Sequence, residues 1–157
     1  LVIHSPGPGQ PKDFDVPGLV RKIAELGIPQ FGVCLGLQGI VEAFGGELTV
    51  MEEPRHGKYW QLEHDGSGIF DGIAPSCRVG GYHSLLAVSD KIPEELEVIA
   101  RNEEDMVMAV RHTGLPIIAV QFHPESILSM DAGGGLQIVE NVLATLLPEK
   151  GAKEEAA

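Results

Sequence analysis

Cys34 stands between glycines in Gly32-Val33-Cys34-Leu35-Gly36. The spacing is that of the G-x-S-x-G nucleophile elbow, with sulfur in place of oxygen. In such an elbow a sharp strand-to-helix turn lifts the central side chain out of the sheet. Glycines on both sides let neighbouring backbone pass close by. The helix dipole and the free N–H groups at the helix start favour a thiolate. A buried structural cysteine is the commoner fate of a free thiol, but it leaves the flanking glycines without a role. Cys34 is therefore a candidate nucleophile.

A cysteine nucleophile needs a base, and the base needs a group to orient it. Six histidines are available: His4, His56, His64, His83, His112 and His123. His123 is the best placed, in Val120-Gln121-Phe122-His123-Pro124-Glu125. It follows the apolar run Ile117 to Val120, at the end of a strand where α/β sheets gather their ligands. Pro124 biases His123 away from helix. In an extended segment positions i and i+2 share a face, so Glu125 can hold the imidazole in one tautomer. Acyl transfer further requires donors for an oxyanion. The N–H of Leu35, next after the nucleophile, is one. The loop Ser5-Pro6-Gly7-Pro8-Gly9 offers the N–H of Gly7, with no side chain to block approach.

The elements that must position these groups follow from pattern and punctuation. Leu1 to His4 reads as a short buried strand. Asp13 or Asp15 caps a helix that has Pro17 in its first turn and ends at Leu26-Gly27. Ile28 to Val33 is a second buried strand, and a helix runs from Cys34 to Phe44, stopped by Gly45-Gly46. This alternation argues for an α/β fold with a parallel sheet. Further strands are expected at Glu47 to Met51, Tyr59 to His64, Cys77 to Tyr82, Leu85 to Ser89, Leu96 to Arg101, Val107 to His112 and Ile117 to Gln121. Their close spacing allows antiparallel hairpins. The expected architecture is a mixed, mostly parallel open sheet flanked by helices. A last helix spans Gly135 to Leu147, and residues 148–157 read as a frayed tail.

The chain has 157 residues, the length of one domain with a real core. Its 23 acidic against 11 scattered basic residues give a net charge of −12. Nucleic-acid binding needs clustered cations, so this class is excluded. No apolar run approaches the length of a membrane span. Two cysteines, Cys34 and Cys77, cannot build a disulfide framework; a reducing, cytoplasmic compartment fits and keeps a reactive thiol free. The first residue is Leu1 rather than Met, within an apolar run, which suggests the C-terminal part of something longer. No histidine shares metal-ligand spacing with Cys or carboxylates.

Taken together, Ser5-Pro6-Gly7-Pro8-Gly9, Gly32-Val33-Cys34-Leu35-Gly36, Gln38 and Phe122-His123-Pro124-Glu125 resemble the class I, triad-type glutamine amidotransferases. The resemblance runs in order through residues 1–147. Within that family, Val41 to Gly46, His56-Gly57-Lys58, His64-Asp65-Gly66, Tyr82-His83-Ser84-Leu85 and Gln121 to Ser126 are similar to the glutaminase component of anthranilate synthase. Leu37 stands where many separate subunits have His, and looks more like versions fused behind the synthase domain. The component that serves aminodeoxychorismate synthesis shares most of these motifs.

The resemblance implies that Cys34 attacks the side-chain amide of L-glutamine to form a γ-glutamyl thioester. His123 would activate the thiol and protonate the leaving ammonia, with Glu125 orienting it. Gly7 and Leu35 would form the oxyanion hole. Gly7, Pro8, Gly9, Gln38, Ser84 and Leu85 would bind the glutamine. Ammonia would pass through a channel to a chorismate-binding synthase, whose Mg²⁺ belongs to that partner; no cofactor is expected in this domain. His56-Gly57-Lys58 would lie near the partner face. His4 and His64 read as structural and Cys77 as a core residue, while Trp60 fits either core or interface. Two departures stand out: the family carries about one further βαβ unit before Leu1, and Gly80-Gly81 precede Tyr82 where an Arg is often found. A catalytically silent assembly subunit of the same fold is the reading from another class. Intact Cys34, His123 and Glu125 argue against it.

Overall fold

Gln30–Val33 forms β2, and all four of its residues are buried. A strand buried on both faces needs neighbours on both sides and cover above and below. In the computed structural model, which describes residues 1–130 and 134–147, β2 lies between two parallel partners. One is β1 (Val2–His4) and the other is β7 (Ile117–Val120). Helix α1 (Val16–Glu25) lies between β1 and β2 in the chain, and α2 (Leu35–Ala43) follows β2 directly.

Alternation along β7 shows how the two faces are filled. Ile117 and Ala119 pack with Val20 of α1 and with Leu37, Ile40 and Val41 of α2. Ile118 and Val120 pack on the other side with Phe31 and Val33 of β2. Ile138, Val142 and Leu146 of α4 (Gly135–Leu146) close that second core. A period of two along the strand thus splits one apolar run between two helical layers.

The remaining strands are β3 (Leu48–His64), β4 (Ser76–Ala87), β5 (Leu96–Asn102) and β6 (Val107–His112), and a short α3 spans Ile127–Met130. The order across the sheet is β1-β2-β7-β6-β5-β3-β4. The class is the expected one, a mixed open sheet flanked by helices. The balance of pairing within it is not: parallel pairing does not predominate. β1/β2 and β2/β7 are parallel, whereas β7/β6, β6/β5, β5/β3 and β3/β4 are antiparallel. Parallel neighbours need a crossover long enough for an α-helix, and the connections from β3 to β7 hold no α-helix, only the short 3-10 turns Gly68–Phe70 and Ser89–Lys91.

Two pairs of expected strands are single strands. Glu47 to Met51, from Leu48 on, and Tyr59 to His64 belong to β3, and Cys77 to Tyr82 and Leu85 to Ser89 fall largely within β4. The polar segment between the first pair stays in the ladder through register shifts after Val50 and after His56. Bulges of this kind accommodate Pro54 and Gly57 within a strand. Asp15, at φ 50°, precedes α1 without a side-chain capping bond, and Asp13 instead accepts from the Gln10 N–H at 2.8 Å. Gly27, at φ 65°, ends α1 as expected. Residues 148–157 lie outside the described residues.

Candidate active site

Cys34 sits between β2 and α2 with φ 55° and ψ −103°. A positive φ at a residue other than glycine is a strained conformation held by its surroundings. Here the Cys34 N–H donates to the Val120 carbonyl at 2.8 Å, and its own carbonyl accepts the Gln38 N–H at 3.1 Å. The flanking glycines are sterically required. A Cβ on Gly32 would lie 2.7 Å from the Gly36 carbonyl carbon, and a Cβ on Gly36 would run into the His4 carbonyl. The elbow therefore depends on both glycines, as the sequence pattern predicts.

The expected substrate residues come together. Gly7, Pro8, Gly9, Cys34, Gln38, Ser84 and Leu85 line one open cavity of about 230 Å³, with Pro54, His56, Tyr82 and His83 completing its walls. Gln38 is buried, and its Nε2 donates to the Leu85 carbonyl at 3.2 Å. Burial pushes the Cys34 thiol up to about 11. The Leu35 N–H opposes this, the Glu125 carboxylate adds to it, and the Gln121 side chain opposes it. The resting sulfur is thus a neutral thiol, and attack requires a base.

His123 follows β7 and does not line the cavity wall itself. Its Nδ1–H donates to Glu125 Oε1 at 2.8 Å, and its Nε2 is buried without a hydrogen-bond partner. Tyr82, which does line the cavity, sets its ring edge-on to His123 with centroids 5.0 Å apart. The segment is tied to β4 through backbone: the His123 N–H donates to the Gly80 carbonyl at 3.1 Å. The fully buried Ser129 completes the tie, donating from Oγ to the His123 carbonyl at 2.6 Å and accepting the Gly80 N–H at 2.9 Å.

Two residues at the site escape sequence reasoning. Ser129 and Pro54 have no local pattern that marks them, because each reaches the site from an element that does not carry the motifs, whereas Tyr82 and Gln121 lie in segments the sequence singled out without assigning them a role. Gly80-Gly81 finds a packing reason instead. A Cβ on Gly81 would collide with the indole of Trp60, which is fully buried, and one on Gly80 would stand 3.0 Å from Leu128 Cβ. Trp60 is thereby a core residue. Cys77 is buried in the same core, where desolvation pushes its thiol up to about 11. His4 is buried with its Nε2 2.7 Å from Gln30 Oε1, and His64 stacks on Phe70 at 4.3 Å. His56 lies edge-on to Tyr82 at 5.2 Å, on the cavity wall. Among the described residues no group of three or more His, Cys, Asp or Glu is placed to hold a metal ion, and no helix is long and apolar enough to cross a membrane.

Comparison with known proteins places this geometry in context. The family described as glutamine amidotransferase class-I matches residues 1–143. The chain is 52% identical over 157 residues to anthranilate synthase of Azospirillum brasilense, covering 100% of this chain and 21% of that protein. It is 44% identical over 152 residues to anthranilate synthase component II of Haloarcula marismortui, covering 92% of this chain and 71% of the relative. The chain thus spans about a fifth of the length of the first of these. Its fold is similar to that of a glutamine amidotransferase from Thermotoga maritima, with a TM-score of 0.77 at 14% identity over 94% of this chain and 78% of the other.

Proposed function

The chain belongs to the class I glutamine amidotransferases, and from that membership we propose that it hydrolyses L-glutamine and supplies the ammonia to a chorismate-binding synthase that makes anthranilate. The observation that carries the reading is the single cavity in which the Cys34 elbow meets Gly7 to Gly9, Gln38 and Ser84-Leu85. The hydrogen-bonded His123–Glu125 pair beside it supplies the base.

In this reading His123 Nε2 takes the proton from the Cys34 thiol as sulfur attacks the side-chain carbonyl carbon of glutamine. The oxyanion accepts from the Gly7 and Leu35 N–H groups, which stabilise it only as charge develops. Collapse of the adduct breaks the C–N bond, and His123 returns the proton to the leaving ammonia. Water, deprotonated by His123, then cleaves the γ-glutamyl thioester to glutamate and free thiol. Glu125 keeps the Nδ1–H in place throughout, so that Nε2 is the atom that exchanges protons. With Nε2 of Gln38 donating to Leu85 and Gln121, its Oε1 is the acceptor offered to the substrate ammonium. Ser84 and Leu85 supply backbone on the opposite wall. Mg²⁺ and chorismate chemistry belong to the synthase. A reducing, cytoplasmic setting suits the free thiol.

The test is glutamate release by the chain together with its synthase. Cys34→Ala should abolish release, and a glutamine-analogue electrophile should label Cys34 alone. Labelling at another residue, or activity that survives Cys34→Ala, would overturn the mechanism. Formation of anthranilate rather than aminodeoxychorismate by the co-purified synthase tests the proposed branch.

A further inference from the structure

Gln121 lies between Val120, which anchors the elbow, and Phe122, and its side chain is completely buried. Its backbone N–H donates to the Met108 carbonyl at 2.8 Å, so the residue's position is set by the β6–β7 ladder. The orientation of its amide is set by a chain of hydrogen bonds that begins on the cavity wall. The Leu85 carbonyl can only accept, so the amide nitrogen of Gln38 must face it, at 3.2 Å. The same nitrogen meets Gln121 at 3.3 Å and requires an acceptor there, which puts Gln121 Oε1 at the contact. Gln121 Nε2 is then turned the other way. It is buried and has no hydrogen-bond partner.

A buried amide NH₂ left without an acceptor is costly, and native proteins rarely keep one without a use. The group beside it is the Cys34 thiol. Val33 and Val120 are paired across the β2–β7 seam and the Cys34 N–H donates to the Val120 carbonyl at 2.8 Å, so Cys34 and Gln121 leave the two strands side by side. The Gln121 side chain favours ionisation of the sulfur. A neutral thiol is a weak acceptor, whereas a thiolate is a strong one. Resting on the reading of Cys34 as nucleophile, we infer that Gln121 is a catalytic residue that holds a donor ready for the sulfur anion, aimed by the Leu85–Gln38–Gln121 relay. Little is gained from this donor while the sulfur is protonated, because a thiol accepts only weakly. Its bond forms as the proton leaves for His123, and forms again when the thioester is hydrolysed and sulfur departs as thiolate. The interaction thus strengthens along the reaction, as transition-state stabilisation requires.

The experiment reads Cys34 directly. The rate of Cys34 alkylation by iodoacetamide is followed against pH in the full chain, with the site of labelling confirmed by mass spectrometry. Gln121→Met keeps the length of the side chain and removes the donor. The titrating groups around the sulfur are left in place: Glu125 and His123 after β7, His83 on β4 and His56 on β3. The midpoint should rise by about one unit, so alkylation at a fixed pH below both midpoints falls roughly tenfold. Gln121→Glu, which replaces the donor with a carboxylate of the same shape, should shift the midpoint further in the same direction. In the unsubstituted chain the Gln121 side-chain amide resonance should move with Cys34 ionisation, and should lose that titration in Cys34→Ala. The NMR reading needs no folded Gln121 variant. Superimposable alkylation profiles for wild type and Gln121→Met, or an amide resonance indifferent to Cys34, would overturn the inference. Failure of the glutaminase reading looks different: glutamate release would survive Cys34→Ala whatever the alkylation profiles show.

Discussion

The Cys34 N–H and the Val120 carbonyl are joined at 2.8 Å, across the parallel seam between β2 and β7. Because the two strands run in the same direction, both chains leave the sheet at the same end. The elbow turns there into α2, and three residues beyond Val120 the other chain presents His123. One backbone hydrogen bond therefore ties together segments that lie far apart in sequence.

Removing the carboxylate that faces His123 should damage turnover without unfolding the chain. Glu125 is 57% exposed, and its contact is with Nδ1 of His123 at 2.8 Å. Glu125→Gln should lower kcat for glutamate release by about 10²–10⁴-fold, the range seen when a base loses its orienting group. Thermal unfolding should change little. Steady-state kinetics beside calorimetry of the same sample checks both halves.

Ser129 should matter for the same base through the backbone. Ser129→Ala strips the His123 carbonyl of one donor and leaves the Gly80 N–H without its acceptor, in a fully buried place. The cost to stability should be about 1–3 kcal/mol. Turnover should fall by more than KM changes, because the substrate-contacting residues are untouched. Urea unfolding and the split between kcat and KM separate the two effects.

Gly81 should reject even one added methyl. Helical and strand propensities favour Ala over Gly by about 0.5–1 kcal/mol, but the collision with the Trp60 indole works against this in a closed core. Overpacking of this kind costs about 1–3 kcal/mol, so Gly81→Ala should be destabilising on balance. Gly81→Arg should be worse, because a longer side chain meets the same indole. Non-additivity with Trp60→Leu, measured as a double-mutant cycle, would trace the cost to that contact.

Stability should fall on the acid side of neutrality. Burial holds His83 below the ordinary imidazole value, with the Leu85 carbonyl opposing the shift and His123 adding to it. The unfolded chain then binds more protons than the folded one once pH drops below the unfolded value of about 6.5. Stability contributed by neutral His83 is present above that value and is lost progressively as pH falls toward the folded pKa. His64 and His112 are shifted in the same direction, chiefly by desolvation. Urea midpoints at pH 7.5 and 5.5 should therefore differ, and the difference should shrink in His83→Gln. An unchanged difference would place the acid sensitivity elsewhere.

Much of the candidate site was legible from spacing because its signals are local. The glycines around Cys34 are needed for a steric reason confined to a single turn and its nearest strand. His123 and Glu125 are two residues apart, and an extended segment puts them on one face. The buried runs that became β2 and β7 were visible because a strand covered on both faces is rich in apolar residues rather than alternating, although β2 also buries the polar Gln30. The antiparallel majority of the sheet was less visible. Composition does not say which strands are neighbours, and the bulged middle of β3, with its Pro and Gly, carries the punctuation of a turn.

What the sequence determined by itself is the chemistry within reach of each segment: a thiol in an elbow, an imidazole with its carboxylate, a proline-stiffened loop with a free glycine N–H. What only the tertiary structure decided is how those segments face one another and what lies behind them. Ser129 reaches Gly80 across 49 residues, and Gln38 reaches Gln121 across 83. Such contacts depend on the order of strands in the sheet and on the packing of buried side chains, and neither leaves a periodic trace in the chain.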